Sequence, residues 1–439
     1  MTPTSPSDVA TSDIELFVQQ LMQRLAPEPA LSPRRGRPRV LPSLCLWAGL
    51  LVCVLRGFSS QLALWRLLSS HGLWDYPRFG VSDQALYKRL AQEGIAPLQQ
   101  LLTHLGLVLR ERLAPWIAQD LAPFAPEVLV LDETTLDKVA RTLPSLREIP
   151  KGDARLLPGR LAGLFDLRRQ LWRRVEYIAA AQQNEKVAAR QMVQDLPKGS
   201  LLLADLGYFG FAWFDWLTDQ GYYWVSRLRA KTSYTVQHVF YQQGDVFDGL
   251  VWLGAYRADR AAHAVRLVQF RVGLTTFRYL SNVLDPLCLP IAMLARLYAR
   301  RWDIELAFHL IKRHLKLHLL WSAKTVVIQQ QVWAVLIIAQ ILQALRLEIA
   351  GRAQVDPYEV SMALLIECLP ELARVGQDPV QAFVERGREA RLIRPSTRTV
   401  IQAPNIPAEL IRPRPPDLPL WREPRYANRK GDRHDQTGN

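Results

Sequence analysis

Three carboxylates in this chain sit where solvation alone does not explain them. Asp132 closes the apolar run of "EVLVLDETT" and Asp205 closes that of "GSLLLADLGYFG", each at the C-terminal end of a buried-strand pattern. Glu305 lies in "LYARRWDIELAFHLIKRHLK"; no Pro or Gly occurs from Ile291 to Lys316, and apolar residues recur at helical spacing. On an ideal helix Tyr298, Arg301, Glu305 and Lys312 share an arc of roughly 60°, with Trp302 and His309 on or beside it. A solvated helix is polar over a broad face, so this narrow stripe is expected to open onto a cleft. Burying a carboxylate is costly unless a cation neutralises it. Three such acids, with no basic partner adjacent in sequence, point to a hard divalent cation, Mg²⁺ with Mn²⁺ as its substitute. Two ions roughly 3.5–4 Å apart would clamp the attacking and leaving oxygens of an in-line phosphoryl transfer. Asp132, Asp205 and Glu305 are therefore the expected metal ligands and the expected catalytic residues.

Other acids compete for the role. Taken singly, each Asp also reads as a solvated strand end or turn residue. Glu133 follows Asp132 directly and should point away from it, and Asp166, within the next strand, reads as structural or supporting; Asp137 is a further candidate. His314 and His318 have legal zinc spacing, but no third ligand accompanies them, so they read as surface or phosphate-facing histidines.

The elements that must position these groups fall into three parts. Residues 1–121 read as a helical N-terminal DNA-binding domain. Within it "SQLALWRLLSSHG" and "VSDQALYKRLAQEG" could pair as a helix-turn-helix, with Ser82 as N-cap. In "RRGRPR", Arg35 and Arg37 suit an extended arm in a narrow minor groove, or a plain basic loop. Residues 122–355 read as strand, strand, strand, helix, strand, then a β-rich insertion at about 211–290 and the Glu305 helix. The apolar "VVIQQQVWAVLIIAQILQALRLEIAG" comes next and is expected to be buried. Residues 356–439 read as a helical segment and a flexible basic tail rich in Pro and Arg.

Composition agrees with a polyanionic partner. The 439 residues carry 55 Lys and Arg against 41 Asp and Glu, a net charge of +14, which favours nucleic acid first and acidic membrane second. Cys45, Cys53, Cys288 and Cys368 form no CxxC pair, so neither a zinc ribbon nor a disulfide framework is indicated. "LCLWAGLLVCVL" is too short to span a bilayer, and the N-terminus lacks a signal-peptide pattern. The expected compartment is the cytoplasm, on the nucleoid when DNA is bound.

Together these residues carry a resemblance. Tyr298, Arg301, Glu305 and Lys312 are similar, without a gap, to the Tyr-Arg-Glu-Lys signature of DDE transposases of the insertion-sequence-four family. "LVLDETTL" and "LLLADLGYF" resemble that family's two Asp motifs. The resemblance covers about Glu127 to Ile349; Glu133 departs from it, since many relatives have a small residue there. It implies an α/β fold with an RNase H-like catalytic core, a β-rich insertion, an all-α N-terminal domain before it, and helices and a basic tail after it. It also implies Mg-dependent cleavage and strand transfer at terminal inverted repeats, through a DDE triad that holds two ions. Tyr298, Arg301 and Lys312 would contact phosphates, and Trp302 would stack on a base or simply pack. An insertion aromatic, Trp224, Trp252 or Phe277, would hold a flipped base. The implied partners are double-stranded DNA, at element ends and target, and further copies of the chain. A nuclease without strand transfer and a non-catalytic DNA-binding descendant are the rival readings.

Overall fold

The computed structural model describes residues 13–23, 40–136, 148–150, 159–179, 185–254, 259–317, 319–322, 324–396, 398 and 400–426. Its centre is a mixed sheet that, among the described residues, has nine strands in the order β3-β2-β1-β4-β5-β9-β8-β7-β6. The first half comprises β1 (Val128–Thr135), β2 (Arg160–Asp166), β3 (Leu171–Ile178), β4 (Leu201–Ala204) and β5 (Tyr223–Arg227). β1, β4 and β5 run parallel, whereas β2 and β3 are antiparallel neighbours. This mixed α/β core, flanked by helices, is consistent with an RNase H-like fold in general terms.

β1 reads as an unbroken apolar run because both of its faces are covered. Val128 and Val130 face a core shared with Ile304, Phe308 and the long helix Thr325–Ala353. Leu129 and Leu131 face a second core with the helices Glu185–Val193 and Phe211–Asp219. Thr325–Ala353 is long and apolar enough to cross a membrane, but its apolar window is wholly buried inside the protein.

β6 (Tyr234–Gln243), β7 (Val246–Leu253), β8 (Val265–Val272) and β9 (Thr275–Ser281) continue the same sheet as antiparallel strands. A buried ion pair fastens this extension. Arg266 donates to both oxygens of Asp248 at 2.7 and 2.6 Å and to the Leu289 carbonyl at 2.6 Å, just ahead of the helix Ile291–Arg300. Asp248→Ala would leave the Arg266 charge buried without its acid and should cost roughly 3–5 kcal/mol. Denaturant unfolding checks this, with a smaller loss expected when both partners become apolar.

Two expectations meet a different structure. The segment 291–316 is not one α-helix. Arg301 and Trp302 bond back by three residues, to Tyr298 and Ala299, between the helices Ile291–Arg300 and Asp303–His309. A π turn follows at Leu310–His314. Arg301 keeps right-handed dihedrals (φ −53°, ψ −31°), so the chain tightens there without leaving the helical region. The tail, expected to be flexible, lies as an extended strap over residues 400–426. The Arg412 N–H donates to Phe240 O (2.9 Å), Ala264 N–H to Leu420 O (2.9 Å) and Arg422 N–H to Ala262 O (2.8 Å), and the Tyr426 hydroxyl donates to Asp215 (2.9 Å).

In the N-terminal part, Ser82 accepts from the Ala85 N–H at 3.2 Å and so caps the helix Asp83–Gln92. The connection 72–82 is longer than the tight turn of about 3–4 residues that defines a helix-turn-helix. Arg35, Arg37, Asp137 and His318 lie outside the described residues.

Candidate active site

Parallel pairing sets the first two acids side by side. Leu131 pairs with Ala204, so Asp132 and Asp205 occupy the next rung at the carboxyl ends of neighbouring strands. Strands are about 4.8 Å apart, and residues level on adjacent strands point to the same face. On that face Asp132 lies opposite Gly163 of β2. A Cβ at Gly163 would stand 2.5 Å from Trp172 and 3.4 Å from Phe308. This bare spot lets the helix carrying Glu305 settle on the sheet beside Asp132, with Phe308 4.9 Å from Trp172, ring to ring. The same face receives Lys312, whose ammonium donates to the Thr134 hydroxyl two residues along from Asp132.

The neighbouring charges act on Asp132. Burial pushes the Asp132 carboxyl up to about 6; the Glu133 N–H opposes the rise, Asp205 adds to it, Arg301 opposes it and Glu305 adds to it. Because the folded value lies above that of the unfolded chain, the proton stabilises the fold. This contribution is complete below about pH 4 and is lost as pH rises through about 6. Asp132→Asn should therefore stabilise the metal-free protein at pH 8 by roughly 2–3 kcal/mol, with the difference vanishing near pH 4. Thermal melts across that range, in chelator, check it.

The third acid is held differently. Glu305 accepts from Arg301 Nη2 at 2.9 Å, while Arg301 is only 8% exposed and lies 5.9 Å from the Tyr298 ring and 5.4 Å from that of Trp302. Tyr298 is buried against Tyr279 (5.0 Å), and burial raises its phenol while the Arg301 and Arg227 charges pull it back. Trp302 is 57% exposed, so it does not pack into the core. Asp205 caps the short turn Leu206–Tyr208, its Oδ1 accepting from the Gly207 N–H at 2.7 Å.

The donor set is all oxygen, as a hard divalent ion requires, and the raised Asp132 carboxyl lacks full neutralisation by the protein. Among the described residues, however, no group of three or more His, Cys, Asp or Glu is close enough to hold a metal ion. The chemistry fits; Glu305 would have to part from Arg301 to complete the set.

Competing acids find other work. Glu133 forms a buried ion pair with Arg160 at 2.7 Å on the opposite face of β1. Asp166 accepts from the Arg168 and Arg169 N–H groups and pairs with the Arg169 guanidinium at 2.8 Å. His314 stands 5.2 Å from His309, and burial lowers its basicity, with His309 adding to the effect. Of the insertion aromatics, Trp224 is stacked on Phe214 at 4.1 Å within the core, and Trp252 is buried with the Arg422 guanidinium 4.7 Å from its ring. Neither could receive a base without unpacking. Phe277 is half-buried in a file with Phe270 and Tyr279.

Cations absent from the sequence expectations lie on the Asp205 flank. Arg227 ends β5, and Arg229 donates to the Leu206 carbonyl at 2.8 Å with its guanidinium 4.8 Å from the Phe209 ring. Lys186 donates to the Phe209 carbonyl at 3.2 Å. The available signal was strand-end placement, which marks Arg227 as it marks Asp205.

Residues 123–341 match the protein family described as "Transposase DDE domain". That stretch contains Asp132, Asp205, Glu305 and the whole stripe from Tyr298 to Lys312. No curated protein matches the chain. Among solved structures, a piggyBac transposase synaptic complex with hairpin DNA is similar at 8% identity and a TM-score of 0.38, over 89% of this chain and 84% of that one.

Proposed function

We propose that the chain, whose residues 123–341 match the transposase DDE domain family, is a DNA transposase of an insertion sequence. It binds the element's terminal inverted repeats, cleaves a strand there and transfers the freed 3′ end to target DNA. The observation that carries this reading is the shared rung of Asp132 and Asp205, with the charges of both Asp205 and Glu305 acting on Asp132. Asp132, Asp205 and Glu305 would hold Mg²⁺, or Mn²⁺ in its place. When bound, such ions activate water and stabilise the departing oxygen.

The chain's own groups do the positioning. Arg301 and Lys312 bring donors to phosphate oxygens beside the cleft, and Arg can meet two oxygens at once. Lys312 starts from Thr134, on the strand that carries Asp132, so its ammonium is already at the reacting face. Tyr298, wedged between Tyr279 and Arg301, gives that guanidinium a wall. Trp302 offers an exposed ring for stacking on a base.

The looseness of the third acid favours one other reading, a DNA-binding protein that no longer cleaves. One assay decides between them. A duplex carrying the inverted repeat that flanks the gene is incubated with the protein, a target plasmid and Mg²⁺. Nicking and joining are expected; binding without nicking in Mg²⁺ or Mn²⁺ supports the second reading, and nicking without joining indicates a nuclease.

A further inference from the structure

The C-terminal segment sends one arginine into the ground beneath the Glu305 helix. Arg398 donates through Nη1 to Asp303 at 3.1 Å and through Nη2 to both oxygens of Asp356 at 2.8 and 2.7 Å. Its guanidinium lies 4.3 Å from the Tyr358 ring, and that of Arg346 lies 4.4 Å from the same ring. Asp303 is 0% exposed and also accepts from Gln170 (2.9 Å) and Arg300 (3.2 Å). Gln170, in the turn between β2 and β3, accepts from the Tyr358 hydroxyl at 2.8 Å. One buried carboxylate is thus tied to the sheet, to the preceding helix and to the C-terminal segment.

Asp303 lies two residues before Glu305, about 200° around the helix from it. Whatever fixes Asp303 on the buried face therefore aims Glu305 on the other. The helix Asp303–His309 has only seven residues. So short a helix has little stability of its own and takes its orientation from its anchors. Buried ion pairs often add little stability over apolar replacements, and in some proteins they specify one geometry instead.

The geometry points to Arg398 as a positioning residue: by bridging Asp303 and Asp356 it sets the rotation of the helix and hence the reach of Glu305 toward Asp132 and Asp205. The inference rests on the reading of Glu305 as a site carboxylate. Arg398→Lys keeps the charge but cannot bridge both acids with a planar fork; Arg398→Ala removes the bridge altogether.

The test uses the full chain and two measurements. Hydrogen exchange in Arg398→Lys should quicken about tenfold at the amides of residues 304–308, with β1 unchanged, and more so in Arg398→Ala. On end DNA with Mg²⁺, kcat for nicking should fall about a hundredfold while Kd for the duplex stays the same. Unchanged exchange at residues 304–308 in both variants overturns the inference, whether or not the wild type nicks. Faster exchange spread equally over β1, or activity lost only in proportion to DNA affinity, overturns it in favour of general stabilisation. Quickened helix exchange in a protein whose wild type never nicks supports the positioning role and counts against the transposase reading alone.

Discussion

Replacing Asp132, Asp205 or Glu305 by Ala is expected to lower Mg²⁺-dependent nicking of element-end DNA by at least about a thousandfold. Metal-borne charge stabilisation is worth several kcal/mol, and each 1.36 kcal/mol is a factor of ten. Binding of the same duplex should be little changed, because positioning contacts fall mainly on phosphates and bases. The three losses should also be unequal in metal-free stability. Asp132→Ala relieves a carboxylate whose burial disfavours its charge, whereas Glu305→Ala leaves Arg301 without its acid at 2.9 Å. Asp303, which the sequence offers as a substitute acid, is consumed by Gln170, Arg300 and Arg398 on the buried face. Retained cleavage in Glu305→Ala, measured in single turnover, would remove this helix from the chemistry.

The second large effect lies in the stripe beside the acids. Arg301→Ala and Lys312→Ala should each lower nicking and joining by about a hundredfold through loss of strand positioning. Each should also reduce the salt dependence of DNA binding by about one unit of slope, as one phosphate contact is lost. The structure separates the two in stability. Lys312 is half-buried and its removal should be nearly silent, whereas Arg301 is enclosed by Tyr298, Trp302 and Glu305. Arg301→Ala should therefore cost about 1–3 kcal/mol in folding. Paired assays of nicking, joining and binding at several salt concentrations check the first part, and thermal melts the second. Unchanged salt slopes with unchanged cleavage would return the stripe to a packing role.

The strands and the acids that end them were legible because the signal is local. An apolar run covered on both faces, stopped by Asp132 or Asp205, needs no knowledge of distant residues. The stripe was legible too, because helical spacing is regular over three turns. What local spacing could not reveal was how that helix is interrupted. The chain tightens at Arg301–Trp302 and makes a π turn at Leu310–His314, and its buried side is tied to distant partners, including Arg398, 95 positions beyond Asp303. The strap at 400–426 escaped for the same reason. Its Pro and Arg composition reads as unstructured, and its order comes from backbone bonds to partners such as Phe240 and Ala262 that no periodicity announces. Trp224 was likewise indistinguishable in sequence from an exposed aromatic until Phe214 was seen to lie against it.

In the proposed transposase, Asp132, Asp205 and Glu305 would share metal ions at the point of cleavage. Anomalous scattering from Mn²⁺ in crystals of the protein bound to element-end DNA tests this most directly. The expected result is a peak beside Asp132 and Asp205 at the carboxyl ends of β1 and β4, with Glu305 turned away from Arg301. A complex with no peak between the two aspartates, or with Mn²⁺ held elsewhere while Glu305 stays on Arg301, would contradict it.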